Sequence, residues 1–286
     1  MAAFLLCLSI VLSTGRNLFS KSLSDIPFGT KAFFLCQGTL FLCGAAALAI
    51  FTKIPFGNLS PAIALYALVY GLLLIFAQWF YTAALAKGNT GLCSTVYSLG
   101  FILPTLSGAL LWNEPFSLLD FFGILCATGA ILLSGRRTKH TEAKANSHYF
   151  YPLVIAMLSS GGLGIVQKLQ QSSPYAEDKS LFLFLAFLLA ALLSLAFAIF
   201  AKKSVAPPPQ KLAVAAGVGL FFGCCNLLNT SLAGMLDSAI LFPTLNIGVI
   251  LLSILCGALL FKERISKKEL SVLVLGVLSI ALLNLG

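Results

Sequence analysis

The chain has 286 residues, of which 59% are hydrophobic and only 9% are charged, and its mean hydropathy is +1.00. Soluble domains carry about 25% charged residues, so this composition excludes a water-soluble globular fold. The net charge of +9 does not indicate nucleic-acid binding, because the cations lie in short gaps between apolar runs rather than on one exposed face.

Ten apolar runs follow one another along the chain, separated only by short polar gaps. A bilayer core of about 30 Å requires about 20 apolar residues per helix, and a helix satisfies its own backbone groups in lipid. The sequence therefore predicts an all-α membrane protein with ten transmembrane helices. The cysteines lie within the apolar runs and both histidines share one polar loop, so we predict no metal site and no cofactor. The predicted spans cover residues 2–22, 29–52, 60–86, 90–112, 117–135, 149–171, 179–201, 210–234, 238–261 and 267–285.

The basic residues are distributed unevenly between the two sides of these spans. Only three of the 18 Lys and Arg residues, Lys53, Lys168 and Lys179, lie beside the gaps that follow even-numbered spans. We call that side the opposite end, and the side with the gaps after odd-numbered spans the basic end. Cytoplasmic loops are enriched in Lys and Arg, so we predict a multi-pass protein of the inner cell membrane, with the basic end in the cytoplasm and both termini outside.

The second half of the chain repeats the first. Gly15–Lys21 aligns with Gly162–Lys168, and Gly108–Ser117 aligns with Gly257–Ser266 at six of ten positions. A third short match in spans 2 and 7 has the same offset, within two residues. Three collinear matches indicate an internal duplication.

Each predicted repeat contains five spans, which is an odd number. The second copy must then cross the membrane in the opposite sense, so we predict inverted repeats over residues 1–140 and 149–286. Many secondary transporters use such repeats to alternate access to a site near the midplane. An enzyme or a receptor has less need of this symmetry.

Two turns and the start of one span complete the features by which the chain can be compared with known families. The Glu114-Pro115 turn, the Lys262–Ser266 turn and the Ser238–Asn246 start of span 9 resemble those of the drug/metabolite transporter superfamily, in its ten-span EamA-like branch. The resemblance implies a carrier of small metabolites and not an enzyme. It does not specify the substrate, because members carry amino acids, nucleotide sugars, vitamins and amines. Related transporters are often described with both termini in the cytoplasm, whereas the charge distribution here predicts the reverse.

Polar side chains within the spans are the candidates for a binding site, since they are costly in lipid and usually face the bundle interior. Two residues of span 3 are three apart on one helical face, and two residues of span 8 have the same spacing 148 residues later. We expect these faces to converge on a central cavity. Interhelical hydrogen bonding is the alternative role. The predicted substrate-binding residues are Gln37, Gln78, Tyr81, Tyr97, Asn226, Asn229 and Asn246.

Four charged residues occupy equivalent places in the two repeats. Lys21 and Glu263 are expected near the basic end, and Lys168 and Glu114 near the opposite end. We hypothesise that these two ion pairs close two gates in turn; the alternative is that the acids only shape turns. Arg16 can meet a substrate carboxylate or extend to the lipid headgroups, and the sequence favours the second role.

No Asp or Glu lies in the middle of a predicted span. This favours uniport or exchange over coupling to protons through a carboxylate. We predict a carrier that exports amino acids or related compounds; an importer or exchanger of another small polar solute is the alternative. An integral-membrane enzyme would need convergent His, Asp or Glu residues, and the sequence offers none. The predicted partners are a small-molecule substrate and membrane lipid, and a homodimer is left open.

Overall fold

The computed structural model of this protein describes residues 1–23, 25–87, 90–135, 150–201, 206–260 and 267–285. All regular secondary structure within these ranges is helical. We number ten helices α1 to α10 in chain order, and α4 is interrupted by a short 3-10 turn. Their bounds are α1 Ala2–Ser20, α2 Lys31–Phe51, α3 Pro61–Lys87, α4 Thr90–Ser98 with Ile102–Leu111, α5 Leu118–Gly135, α6 Phe150–Gln171, α7 Lys179–Phe200, α8 Pro209–Ala233, α9 Ser238–Leu260 and α10 Lys267–Leu285.

The helices begin and end within two residues of the predicted spans. Eight of the described helices are long and apolar enough to cross a membrane, and two shorter apolar helices correspond to α4 and α5. The all-α membrane fold is therefore confirmed, while ten complete crossings stay a prediction. The match is close because lipid offers no partner for an unpaired backbone group, so each apolar run must be helical along its whole length.

Proline interrupts α4. The 3-10 turn Leu99–Phe101 ends three residues before Pro104. Proline has no N–H, and its ring crowds the carbonyl of the residue four positions earlier, here Gly100. Gly100 also packs against α6, where a Cβ on it would lie 2.6 Å from the carbonyl oxygen of Met157. The broken helix thus approaches α6 closely at the level of its own break.

Glycines allow α2 and α8 to pack with their backbones in contact. A Cβ on Gly223 would lie 2.5 Å from the carbonyl oxygen of Gly44, and one on Gly219 would overlap the carbonyl oxygen of Leu40. This Gly-x-x-x-Gly pair is a common device in membranes, where close packing rather than hydrophobic exclusion holds helices together. The sequence shows this glycine spacing, but it does not show which helix packs against α8 there.

Each helix of the first half packs mainly against helices of the second half. The principal pairs are α1 with α8 and α9, α2 with α7 and α8, α3 with α6 and α7, α4 with α9 and α6, and α5 with α10. One apolar core contains residues from α2, α3, α6, α7 and α8, and a second contains residues from α4, α5, α8, α9 and α10. A cavity lies where the two groups of helices meet.

Candidate functional site

The cavity has a volume of about 740 Å³ and is lined by residues of α1, α3, α4, α5, α6, α8, α9 and α10. This volume is in the range of small-molecule binding sites. Its lining reaches the basic end, where it includes Ser20, Leu23 and Lys268, and its other limit is near Gln167 and Asn229. Gln167 and Asn229 each lie four residues before the end of their helix, so the cavity opens towards the basic end and stops about one helical turn short of the opposite end.

Most of the predicted binding residues line this cavity. They come from α3, α4, α8 and α9, and the Tyr81 and Tyr97 rings lie 4.4 Å apart, centroid to centroid. Gln37 is not among the lining residues: it lies behind Thr82 and donates to the Thr82 hydroxyl at 3.5 Å. Because Gln37 is only 2% exposed, a solute in the cavity reaches Thr82 before it. The cavity-lining members of the predicted set are Gln78, Tyr81, Tyr97, Asn226, Asn229 and Asn246.

A buried hydrogen-bond network lies in the cavity wall, on the side away from the basic end. The Tyr70 hydroxyl donates to Asn226 Oδ1, and Gln167 Nε2 donates to Tyr70 Oη at 2.7 Å. These three residues join α3, α6 and α8. Sequence reasoning found Asn226 but missed Tyr70 and Gln167, although Gln167 directly precedes the matched Lys168 within a predicted span. That position was the available signal.

The amide residues of the cavity divide into two groups by their hydrogen bonds. Asn226 and Asn229 bond to other helices, since Asn229 Oδ1 accepts from the Ser9 hydroxyl at 2.5 Å. Asn246 donates only within its own helix, to the Phe242 carbonyl oxygen at 2.9 Å. The Gln78 side chain has no hydrogen bond with the described residues and is half-buried. Gln78 and Asn246 thus present amide groups to a solute, while Asn226 and Asn229 also hold helices together.

Arg16 also lines the cavity. Its guanidinium carbon lies 4.8 Å from the centroid of the Phe222 ring, near the middle of α8. The side chain is therefore directed into the bundle. The sequence had favoured the other role, in which Arg16 extends to the lipid headgroups at the basic end.

An ion pair joins several elements at the opposite end of the bundle. Lys168 Nζ contacts Glu114 Oε1 and donates to the Leu236 carbonyl oxygen at 3.1 Å. Glu114 Oε2 accepts from the backbone N–H of Ser238, the first residue of α9, at 2.7 Å. We call these four residues the latch. It joins the α4–α5 turn to α6 and to the α8–α9 turn, about one helical turn beyond the cavity lining.

The other predicted gate pair lies outside the described side chains, because neither the Lys21 side chain nor Glu263 is among them. The alternative role of the acids in turns is met by a different residue, Asp120. Its carboxylate accepts from the Ser117 N–H at 2.8 Å, and its own N–H donates to the Ser117 hydroxyl at 3.0 Å. This reciprocal pair caps α5 and leaves Glu114 free for the latch.

Comparisons with known proteins match slightly less than half of the chain by sequence and nearly all of it by fold. Residues 150–285 match the EamA-like transporter family. A solved crystal structure superimposes on 99% of this chain and 96% of its own length, with a TM-score of 0.77 and 18% sequence identity, which shows a shared fold. No curated protein matches the chain significantly.

Proposed function

We propose that this protein exports amino acids or related polar metabolites from the cytoplasm by alternating access, because residues 150–285 match the EamA-like transporter family, whose members carry small solutes across membranes. It is a multi-pass membrane protein and a transporter rather than an enzyme. The observation that carries the finer proposal is the cavity: it is lined by amide and hydroxyl groups and reaches one end of the bundle, while the latch closes the other.

The packing of the helices supports two inverted repeats over residues 1–140 and 149–286. Exchanging each helix with its counterpart five places along converts the α1–α8 contact into α6–α3, and the α2–α8 contact into α7–α3. The α2–α7, α4–α9 and α5–α10 contacts each join counterparts. A bundle with this exchange symmetry has two related packings, which is what alternating access requires.

The latch supplies the gate at the opposite end. With Lys168 paired to Glu114, the arrangement corresponds to a state that faces the basic end. In the alternate state the latch opens, and Lys21 with Glu263 closes the basic end in its place. Because the basic end is expected in the cytoplasm, the cavity in this state faces the cytoplasm. An exporter needs this orientation to bind its solute.

The polar groups of the cavity also bear on energy coupling. Among the described lining residues, the only carboxylate is Glu269, in the first turn of α10 at the cavity mouth. A coupling proton or Na⁺ is usually bound by a buried carboxylate, so the interior favours uniport or exchange. An importer or exchanger of another small polar solute remains the alternative.

Counterflow in liposomes tests the proposal. Vesicles containing the purified protein are loaded with unlabelled amino acids, and uptake of each labelled amino acid is followed without an ion gradient. Accumulation above protein-free vesicles is the expected result. Accumulation of labelled choline or nucleosides alone would favour the alternative, and conversion of a solute without flux would indicate an enzyme.

Two asparagines provide matched variants for the binding role. Asn246 and Asn284 each donate to the carbonyl oxygen four residues earlier, at 2.9 and 2.7 Å, but only Asn246 lines the cavity. Losing a hydrogen bond to a solute costs about 1 kcal/mol or more, so we expect Asn246→Leu to reduce counterflow about five- to tenfold and Asn284→Leu to leave it unchanged. Equal effects would remove Asn246 from the binding site.

A further inference from the structure

Arg16 places a positive charge near mid-depth in the bundle. It lies four residues before the end of α1, at Ser20. Its guanidinium stacks on Phe222, which lies 13 residues after the start of the 25-residue helix α8, or about 20 Å of helical rise. A cation at this depth is expensive and marks a functional site when it faces a cavity.

The described protein offers this charge no anionic partner. Arg16 donates to Asn17 Oδ1 from Nε at 3.3 Å and from an Nη nitrogen at 3.1 Å, and an amide oxygen carries no net charge. The two ion pairs among the described residues involve Lys168 and Lys211 instead. The Phe222 ring stabilises the cation only partly. Among the described residues, no carboxylate therefore pairs with Arg16 on the wall of the cavity.

The repeat-related position makes the cavity asymmetric. In the alignment of Gly15–Lys21 with Gly162–Lys168, Arg16 corresponds to Leu163, and both residues line the cavity. Phe242 and Leu245 of α9 add further apolar surface to the lining. Such a wall suits a solute with one anionic group and a neutral or apolar body.

We propose that Arg16 binds the carboxylate of the transported solute. The planar guanidinium matches a carboxylate in a two-point contact, and the amides of Gln78 and Asn246, neither of which bonds to another described helix, can bond to other polar groups of the solute. Of the two cations among the described lining residues, Lys268 lies at the cavity mouth and Arg16 lies deeper. One charge at the depth of Arg16 balances one negative charge, so a monocarboxylate fits better than a phosphate, which carries about two. This inference rests on the proposed transport function and specifies its substrate class.

Binding of matched acids and amides tests the assignment. The probes are the proteinogenic L-amino acids and small monocarboxylates, each compared with its carboxamide, and titration calorimetry on the purified protein in detergent is the readout. At least one acid is expected to bind, and its amide to bind about 10- to 100-fold more weakly, the usual effect of a charge-assisted hydrogen bond.

Three variants separate the role of Arg16 from general effects of charge. Arg16→Gln should lower the affinity for the acid about 10- to 100-fold and abolish the preference over the amide. Arg16→Lys keeps the charge without the planar fork, so an intermediate loss is expected. Lys179→Gln removes a cation at the opposite end and should leave the affinity unchanged. Size-exclusion profiles matching the wild type show that each variant is folded.

The inference is overturned if no acid binds, if acids and amides bind equally, or if Arg16→Gln retains the preference for the acid. Its failure differs from failure of the transport proposal. Counterflow of an uncharged solute by wild type and Arg16→Gln alike would retain the transporter and reject the carboxylate site. Absence of any solute flux would reject the transport proposal itself.

Discussion

Removing one charge from the latch should open the protein at the opposite end. In Glu114→Gln the new amide oxygen can still accept from the Ser238 N–H, but its NH₂ group would face the Lys168 ammonium, donor against donor. The two side chains are only 8% and 12% exposed, so solvent compensates little. Breaking a buried pair in this way costs about 3–5 kcal/mol.

We expect the lower part of that range, because Lys168 keeps its hydrogen bond to the Leu236 carbonyl oxygen at 3.1 Å. A loss of about 3 kcal/mol from the closed state alone shifts the equilibrium about 100-fold towards states in which the opposite end is open. Replacing both partners, as in Glu114→Gln with Lys168→Met, leaves no unpaired charge. The double variant should therefore lie closer to the wild type than the single one.

The distance between two attached spin labels, measured by electron spin resonance, provides the assay. Labels at Phe116 and Met235, both exposed, report the separation of the two turns that the latch joins, in a background whose eight native cysteines are replaced. A longer distance should appear in Glu114→Gln. Asp178→Asn is the control, since Asp178 accepts from Asn58 at 2.8 Å at the same end but outside the latch. An unchanged distribution in Glu114→Gln, or equal opening in the control, would refute the gate.

Three other results are expected. Gly219→Ala should lower the melting temperature by several degrees, because the added Cβ would overlap a carbonyl oxygen of α2 and overpacking costs about 1–3 kcal/mol. Gly217→Ala is the control: its Cβ would meet open space, so the melting temperature should not fall. Tyr70→Phe should destabilise the protein by about 1–3 kcal/mol, since two buried amide groups each lose a hydrogen bond. An unchanged unfolding midpoint would contradict this. Single cysteines in residues 136–149 and 261–266 should react with an impermeant reagent from the same side, the cytoplasm; labelling from opposite sides would reject the inverted repeats.

The helix boundaries were accessible from the sequence to within two residues. In lipid an unpaired backbone group has no alternative partner, so hydropathy and helix length are tied together. The same reasoning identified Gln78 and Asn246, because a polar residue within an apolar run must face protein or cavity. These inferences need only the neighbours of a residue within its own helix.

Relations between helices were not accessible in this way. Hydropathy does not specify how each helix is rotated or how far it slides along its neighbour, and these two quantities determine which polar group meets which. They put Thr82 in front of Gln37, bring Tyr70 to Asn226, and direct Arg16 into the bundle.

The sequence by itself determined that the chain is an apolar helical membrane protein, where its helices begin and end, and which residues are polar at membrane depth. Only the tertiary structure decided which of those residues share a cavity, that the cavity reaches the basic end alone, and that Glu114 meets Lys168 and Ser238. The reason is physical: burial in lipid acts on each helix separately, whereas a binding site and a gate depend on atoms of different helices coming within about 3 Å of one another.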